Sequence, residues 1–442
     1  MVDLKSLLDY ASSLGAQETE LYLEETKGWS CRVYQGEVEN LQASQGKGLA
    51  VRVIAGKALG IAYTSDISDD GAREAISRAI ENAKISAPDE LRSFYAPEGE
   101  YPTLQAWSQD IEDAPAETKI RMALDMEAMA KGKDSRIQKV LAASVGTNSR
   151  SVTVVNSKGV DVSFRSNYAT ISCQVLAREN GVMQPGSGMQ FSRTFAGLEP
   201  ERVVGEAVEK ALNLLGGKPV ESQDAAVIFA PEVSSVIWQM LAGVLTGEAV
   251  QKKRSMFAGK IGQRVASELV SLIDDPFDVR GTGASPFDAE GVPRKRMALI
   301  EKGVLKTYIY DCYSAAKDGV KSTGHAYRRI STAVQAAPCN LYLEPGTQSL
   351  EEVVASTKNG LLVMDVSGIS TGGFNPVSGD FSVGAAGRWI SDGRFVGPVR
   401  EVTIAGNLKD MLMGIDAVAS DLKWLGMGTP SFRVAKMAIS GK

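Results

Sequence analysis

Residues 20–65 decide the fold of the first part of the chain, and they read ELYLEETKGWSCRVYQGEVENLQASQGKGLAVRVIAGKALGIAYTS. Short runs rich in β-branched and aromatic residues alternate there with glycines. Such runs, interrupted at turn-like intervals, are typical of an antiparallel meander. We therefore predict several short strands with turns at five glycines, Gly28, Gly36, Gly46, Gly48 and Gly56.

Apolar residues at helical spacing surround this meander and continue through the first half of the chain. They predict helices over 3–14, 69–86, 116–131 and 200–215. Strands are expected between the last two helices, over 136–146, 151–156, 160–179 and 181–195. Residues 216–219 read GGKP, a credible linker, and we predict an N-terminal α+β domain over 1–219 and a β-rich domain over 220–442.

The second half is rich in glycine and in short β-prone runs. It opens with a predicted strand over 225–230 and a helix from Pro231, a favoured first helical residue. One further helix is expected near 407–422. The remaining runs predict a large, curved antiparallel sheet or a partly closed barrel, so the fold class is α+β.

Composition excludes several classes of protein. The 442 residues carry a formal charge of −5, and we interpret the basic runs at 252–254, 294–296 and 328–329 as solvated surface charge rather than a nucleic-acid site. The four cysteines are scattered, and the sequence has neither a secretory signal nor an apolar run long enough to span a membrane. We expect a cytoplasmic protein.

The number of histidines and one predicted helix are the sequence features that say most about possible catalysis. The single histidine, His325, makes a conventional catalytic zinc site hard to assemble. In the helix predicted to begin at Pro231, apolar residues recur at helical spacing on one face. The next position in this series is Glu248. A carboxylate at an expected apolar position indicates function, and the alternative is a helix-end glutamate that pairs with Lys252.

Six segments of the second half together resemble one family. They are RSMFAGKIG (254–262), FDAEGVP (287–293), IEKGVL (300–305), STG (322–324), VSGDFSVGA (377–385) and AGNL (405–408). Their order and spacing resemble the TldD/PmbA family, whose PmbA-like branch is also called TldE. The N-terminal meander is similar to the family as well, so the resemblance covers nearly the whole chain.

The resemblance implies a subunit of a heterodimeric, zinc-dependent cytoplasmic peptidase. The TldD-like subunit bears His-Glu-x-x-x-His on the helix described above and a cysteine ligand near its C-terminus. Gly247 and Lys252 stand at the two histidine positions here, and residues 424–430 contain no cysteine. Glycine offers no donor atom, and a protonated lysine repels Zn²⁺. Glu248 would then be a remnant of the general base, with no metal in this chain and zinc in a TldD-like partner.

The resemblance also implies that an extended, unfolded peptide is bound. The Gly-rich segments 367–373 and 378–387 are the candidates, because missing side chains allow close backbone approach. The alternative is that these glycines form barrel corners and tight turns. The predicted peptide-binding residues are Gly368, Gly372, Gly379, Asp380, Phe381 and Ser382.

Two rival functions stay open beside the leading hypothesis of a non-catalytic subunit. One is a hydrolase active alone, through an unrecognised site or a metal held by Asp and Glu. A catalytic triad that used Ser382 would need His325 as its base, but we expect His325 to order the 322–327 loop instead. Cys312 lies in a predicted strand, and we interpret it as a small core residue rather than a nucleophile. The other is a modulator that binds DNA gyrase, the family's traditional label. Homodimers are expected when the partner is absent.

Overall fold

The first half of the chain builds one sheet in the computed structural model, which describes residues 3–368 and 373–442. Its six strands are β1 (Glu18–Tyr34), β2 (Glu37–Ala55), β3 (Ala58–Thr64), β4 (Ile137–Asn156), β5 (Asp161–Glu179) and β6 (Val182–Ser192). They lie in the order β3-β2-β1-β4-β5-β6, and every neighbouring pair is antiparallel. The predicted antiparallel sheet of the first half is therefore confirmed.

The strands are longer than the sequence indicated, because several glycines lie inside them. Only Gly36 and Gly56 take left-handed turns, with φ of 81° and 58°. Gly28, Gly46 and Gly48 sit within β1 and β2, so the turns predicted there were wrong. A Cβ added at Gly28 or Gly46 would lie 2.9 Å from a hydroxyl oxygen of the paired strand. Glycine is thus used here for close packing rather than for a turn.

Helices cover the sheet in two groups. They are α1 (Leu4–Ser13), α2 (Asp69–Ile85), α3 (Gln109–Asp113), α4 (Ala116–Lys133) and α5 (Pro200–Asn213). The first two bury Leu7 and Ile76 against β1 and β2, while α4 and α5 bury Met126 and Val204 against β4 and β5. The predicted boundary between residues 219 and 220 stays a prediction.

The second half contains a closed ring of five strands. These are β7 (Gln223–Phe229), β14 (Asn359–Ser367), β15 (Asp380–Ser391), β16 (Arg394–Asn407) and β20 (Phe432–Ser440), and β17 (Ile415–Val418) extends the ring beside β20. A pairing between β16 and β20 closes the ring, and within the described part of this ring β7–β14 is the one parallel pair. Phe229, Phe432 and Trp238 pack at its centre, with ring centroids 5.0 and 5.9 Å apart along that series. The predicted barrel is confirmed, and it is fully closed.

Short elements complete the second half. A further sheet holds β8 (Leu272–Asp274), β9 (Met297–Glu301), β10 (Val304–Leu305), β13 (Leu341–Leu343), β18 (Lys423–Trp424) and β19 (Gly428–Thr429). A separate pair is formed by β11 (Ala326–Tyr327) and β12 (Gln335–Ala336). The helices are α6 (Pro231–Val244), α7 (Gly247–Gln251), α8 (Cys312–Asp318), α9 (Leu350–Ala355) and α10 (Leu408–Met413). None of the helices in residues 3–368 and 373–442 combines the length and apolar character needed to cross a bilayer.

Three local expectations were wrong. The helix predicted over 407–422 ends at Met413, because residues 415–418 pair with β20 instead. Cys312 begins α8 rather than lying in a strand, since the Asp311 side chain accepts from the backbone of Ser314 and caps a helix there. The helix that begins at Pro231 ends at Val244, so Glu248 belongs to a separate short helix.

Candidate functional site

The turn between α6 and α7 places the residues that the sequence singled out first. Thr246 caps α7, and its hydroxyl accepts from the backbone N–H of Ala249 at 3.0 Å. The backbone of Ile309 holds the turn on both sides of Thr246. Its N–H donates to the carbonyl of Leu245, and its carbonyl accepts from the N–H of Gly247, both at 2.9 Å. Gly247 is therefore pinned beside the segment that contains Tyr310.

Tyr310 fills the space that a side chain at position 247 would occupy. A Cβ built on Gly247 would lie 2.2 and 2.4 Å from two carbons of the Tyr310 ring. The ring is buried, and its hydroxyl donates to Asp318 at 2.9 Å while its backbone N–H donates to Thr323 at 2.8 Å. Burial and the Asp318 carboxylate raise the pKa of Tyr310. Position 247 thus has neither a donor atom nor room for one.

Glu248 and Lys252 form an ion pair across one turn of α7. Their side chains are 45% and 54% exposed, so water screens this pair strongly. This is the pairing that the sequence offered as the alternative to a functional role for Glu248.

These positions do not fit a zinc ion. Gly247 is covered by an aromatic ring, and Lys252 presents an ammonium group to the only carboxylate beside it in α7. In the part of the chain that the structure describes, no group of three or more His, Cys, Asp or Glu side chains could hold a metal. We therefore derive no chemical step through a metal on this chain.

The predicted peptide-binding residues that the structure describes lie at one end of the barrel. Gly368 follows β14 and Gly379 precedes β15, with φ of 87° and 88°. A Cβ at Gly379 would lie 3.1 Å from the sulfur of Met256, which follows α7 in the chain, so the barrel end adjoins the α7 region. Gly372 lies outside the described residues.

Asp380, Phe381 and Ser382 begin β15. They pair with residues 405–407 of β16, and the N–H of Ser382 also donates to the carbonyl of Gly373 at 2.9 Å. Hydrogen bonds from Asn407 and Ser378 lower the pKa of Asp380. The side chains of these residues are half-buried or exposed, and their role toward a peptide stays a prediction.

The other nucleophile and base candidates are engaged in structural contacts. His325 is buried, and its Nδ1 lies 2.9 Å from both the carbonyl and the hydroxyl oxygen of Thr323, which orders the loop as expected. Its Nε2 lies 3.6 Å from Asp274. Burial disfavours the charged Asp274, but the nearby His325 ring and hydrogen bonds from Cys339 outweigh it and lower the pKa of Asp274 to about 2.

Cys312 is not an activated nucleophile. Its backbone N–H donates to Glu290 at 2.8 Å. Burial and the Glu290 carboxylate raise the pKa of its thiol well above the ordinary value. A thiol in that state is the protonated, weakly nucleophilic form at neutral pH.

Four buried charged residues join the two halves of the chain, and we call them the buried ion cluster: Glu20, Arg52, Glu290 and Arg328. Arg52 contacts Glu20 at 3.3 Å and Glu290 at 3.0 Å, and Arg328 contacts Glu20 at 3.0 Å. All four side chains are at most 8% exposed. The interpretation of the run 328–329 as solvated charge was therefore wrong for Arg328, whose partner Glu20 precedes it by 308 positions.

Beside this cluster lies a cavity of about 410 Å³ between the first sheet and the loops of the second half. We call it the sheet–loop cavity, and residues from both halves line it, among them Tyr22, Arg150, Tyr168, Asp288, Arg294 and Arg328. Sequence reasoning missed it, because its walls come from strands and loops far apart in the chain. The one signal was the pair of basic runs at 294–296 and 328–329 within a predominantly acidic protein.

Comparisons with known proteins agree with one another along the whole chain. Family models for PmbA/TldA metallopeptidases match at 19–83 (domain 1), 109–215 (central domain) and 222–441 (C-terminal domain). A Haemophilus influenzae protein named metalloprotease PmbA homolog is 31% identical over 445 residues, which cover 98% of this chain and 94% of that protein.

Solved structures show the same fold. TldE from Thermococcus kodakarensis superposes with a TM-score of 0.91 at 26% identity, covering 99% of this chain and all of its own. A protein from Thermotoga maritima, described as a candidate modulator of a DNA gyrase, gives a TM-score of 0.91 at 27% identity and covers 99% of both chains.

Proposed function

Because the chain belongs to the TldD/PmbA family of metallopeptidases, we propose that it is the non-catalytic, TldE-like subunit of a heterodimeric zinc peptidase. In this proposal a TldD-like partner holds the zinc, and this chain helps to bind unfolded peptides for cleavage. We propose a cytoplasmic location, no role for nucleic acid or membrane, and homodimers when the partner is absent.

The observation that supports the proposal most strongly is the contact between Gly247 and Tyr310. A histidine that ligates zinc needs a side chain at that position, and the Tyr310 ring stands 2.2 Å from where its Cβ would begin. In this chain the space is occupied by the tyrosine ring, whose hydroxyl donates to Asp318. Zinc supplies carbonyl polarisation and an activated water in metallopeptidases, and Glu248 has neither without it.

The peptide contact belongs to the same proposal. Gly368, Gly379 and the first residues of β15 lie at the barrel end that adjoins Met256 and α7. In this proposal, that barrel end lies at the subunit interface, opposite the catalytic helix of the partner. Phe381 supplies a half-buried aromatic side chain there, which suits an extended peptide of varied sequence.

The test is reconstitution with metal analysis. We expect the purified chain alone to hold no stoichiometric zinc and to leave an unfolded peptide intact. Addition of a TldD-like subunit should bring zinc and hydrolysis, and a photoreactive peptide should cross-link to residues 373–382 of this chain.

A pair of matched variants sharpens the result. Glu248→Gln in this chain should leave the activity of the complex unchanged, whereas the same change in the partner's His-Glu-x-x-x-His motif should abolish it. Zinc bound beside Glu248 together with hydrolysis by the lone chain would overturn the proposal.

A further inference from the structure

Charged side chains of mainly one sign line the sheet–loop cavity. Of the described residues that line it, four are cationic and one is acidic: Lys27, Arg150, Arg294, Arg328 and Asp288. The Asp288 carboxylate already accepts from three backbone N–H groups at 2.8 to 3.0 Å, those of Glu290, Val292 and Ala326. Two of these cations have carboxylate partners behind the wall, Arg150 with Glu24 and Arg328 with Glu20, so the positive charge without an ion-pair partner among the described residues is that of Lys27 and Arg294.

Arg328 has a free hydrogen-bonding edge. Its Nη1 donates to Glu20 at 3.0 Å, but its Nε and Nη2 have no partner among the described residues. The side chain is 1% exposed, and its guanidinium lies 4.9 Å from the centre of the Tyr22 ring. Buried N–H donors without partners are unfavourable, so a hydrogen bond to this edge would lower the free energy more than one made at the surface. Because both nitrogen atoms have almost no accessible surface, a ligand in the cavity reaches them only after neighbouring side chains move aside.

The shape of the free edge selects the ligand. Nε and Nη2 form the side-on fork of a guanidinium, whose two parallel N–H groups match the two oxygens of a carboxylate. Arg294 adds a second unpartnered donor at its Nη1, while its Nε donates to the carbonyl of Phe287 at 3.2 Å. Arg150 is already bound to Glu24 and to the Tyr22 hydroxyl, both at 2.5 Å. One monoanionic group therefore suits the cavity better than a cluster of phosphates.

The opposite wall of the cavity carries several polar side chains. Ser44, Asn148, Ser166 and Tyr168 lie on the cavity face of the first sheet, at paired positions of neighbouring strands. Gly28 stands between Ser44 and Asn148 and leaves that face open where a side chain would fill it. Hydroxyl and amide groups in such an arrangement bind peptide N–H and C=O groups. A volume of about 410 Å³ is in the range of small-ligand sites.

We propose that the sheet–loop cavity binds the terminal carboxylate of a short peptide, with Arg328 receiving the carboxylate on its side-on edge. The peptide assignment rests on the proposed function, since a peptidase complex handles such molecules. The carboxylate assignment rests on the arginine geometry alone.

Calorimetric titration of the full chain, without a partner, tests this proposal. N-acetyl-trialanine should bind about tenfold to a hundredfold more tightly than its terminal amide, because the amide cannot accept both N–H groups. Inorganic phosphate and free alanine should bind more weakly than the peptide acid. Equal affinity for acid and amide, or phosphate binding as tight as the acid, would overturn the carboxylate site. Alanine binding as tightly as the peptide acid would overturn the peptide assignment.

Two variants locate the site. Arg328→Gln should remove the preference for the acid, and the adjacent, exposed Arg329→Gln should keep it. Because Arg328 also pairs with Glu20, Ser166→Trp offers a block that leaves the ion cluster intact, with Ser163→Trp outside the cavity as its control. Retention of acid binding by Ser166→Trp would contradict the assignment.

This experiment is separable from the test of the proposed function. Binding is measured on the lone chain and requires neither zinc nor hydrolysis. Loss of the carboxylate preference would leave the zinc and activity results standing, and hydrolysis by the lone chain would leave the binding difference unchanged.

Discussion

The α7 turn and the buried ion cluster use charge in opposite ways. At α7, Glu248 and Lys252 pair in water, about half exposed, next to a position that an aromatic ring has filled. In the cluster, two carboxylates and two guanidinium groups are almost fully buried between the halves of the chain. Exposed pairs contribute little to stability, whereas a buried pair that loses one member leaves an uncompensated charge. The stability of the chain therefore depends on the charges between its halves and not on the exposed ion pair of α7.

The largest expected effect is at Arg52. Arg52→Ala leaves Glu20 and Glu290 buried without the cation between them, and we expect the free energy of unfolding to fall by about 3–5 kcal/mol. Urea denaturation followed by circular dichroism measures it. Arg32→Ala is the control, because its pair with Glu39 is exposed at 51% and 43% and should contribute less than about 1 kcal/mol. Equal losses of unfolding free energy in the two variants would contradict the expected difference between buried and exposed ion pairs.

A second effect is on the pH dependence of stability. Burial and the neighbouring Glu290 raise the pKa of Asp288 to about 7. An unfolded aspartate has a pKa of about 3.9, so the folded chain binds this proton more tightly, and stability falls as pH rises from about 4 to about 7. The slope from Asp288 reaches at most about 1.4 kcal/mol per pH unit, and Asp288→Asn should remove this contribution in urea titrations across that range. Glu20 and Asp311, whose pKa values are also raised by burial, would keep a part of the slope.

The control for this prediction is Asp380→Asn. Hydrogen bonds lower the pKa of Asp380, so its contribution has the opposite sign, is present above the unfolded pKa and disappears only as pH falls toward the folded value. Its removal should leave the slope between about pH 4 and 7 unchanged. A slope that persists undiminished in Asp288→Asn would show that other groups cause it.

The smallest of the three effects concerns Gly247, the position that the Tyr310 ring covers. Gly247→Ala places a methyl group against the Tyr310 ring and should cost about 1–3 kcal/mol by overpacking. In a Tyr310→Ala background the same change should cost little, because the clashing ring is gone. Gly243→Ala is the control, since no atom lies within 4 Å of its Cβ position, and it should be neutral or stabilising. An equal cost of Gly247→Ala in both backgrounds would mean that Tyr310 does not fill the position.

Local patterns predicted the elements that depend on local chemistry. Helices over 69–86 and 200–215 and the start at Pro231 follow from periodicity and capping residues, and the structure has them within a few residues. The long strands β1 and β2 did not follow, because a glycine inside a strand and a glycine in a turn look alike until the partner strand is known. The break after Val244 was hidden for the same reason, since Ile309 holds it from a distant part of the chain.

The sequence predicted that residues 247 and 252 lack metal-binding atoms. It did not predict which side chain fills the space beside residue 247. The residue types Gly247 and Lys252 can be read from the sequence once the resemblance is recognised. That Tyr310 occupies the vacant position cannot, because the two residues are neighbours only in the fold. Arg328 was assigned to the surface as part of a short basic run, and its burial depends on Glu20 and on the contact between the two halves.

Closure of the five-stranded ring has a consequence for biosynthesis. Strand β7 pairs with β20, whose residues emerge from the ribosome roughly 200 positions later, so the barrel cannot close while the intervening chain is being translated. The first sheet has a shorter delay, because its longest-range pairing joins β1 to β4 across the intervening residues 35–136. During that interval the apolar face of β7 and α6 is left without its final cover, and this is the stage at which the nascent polypeptide is most exposed to chaperone capture or aggregation.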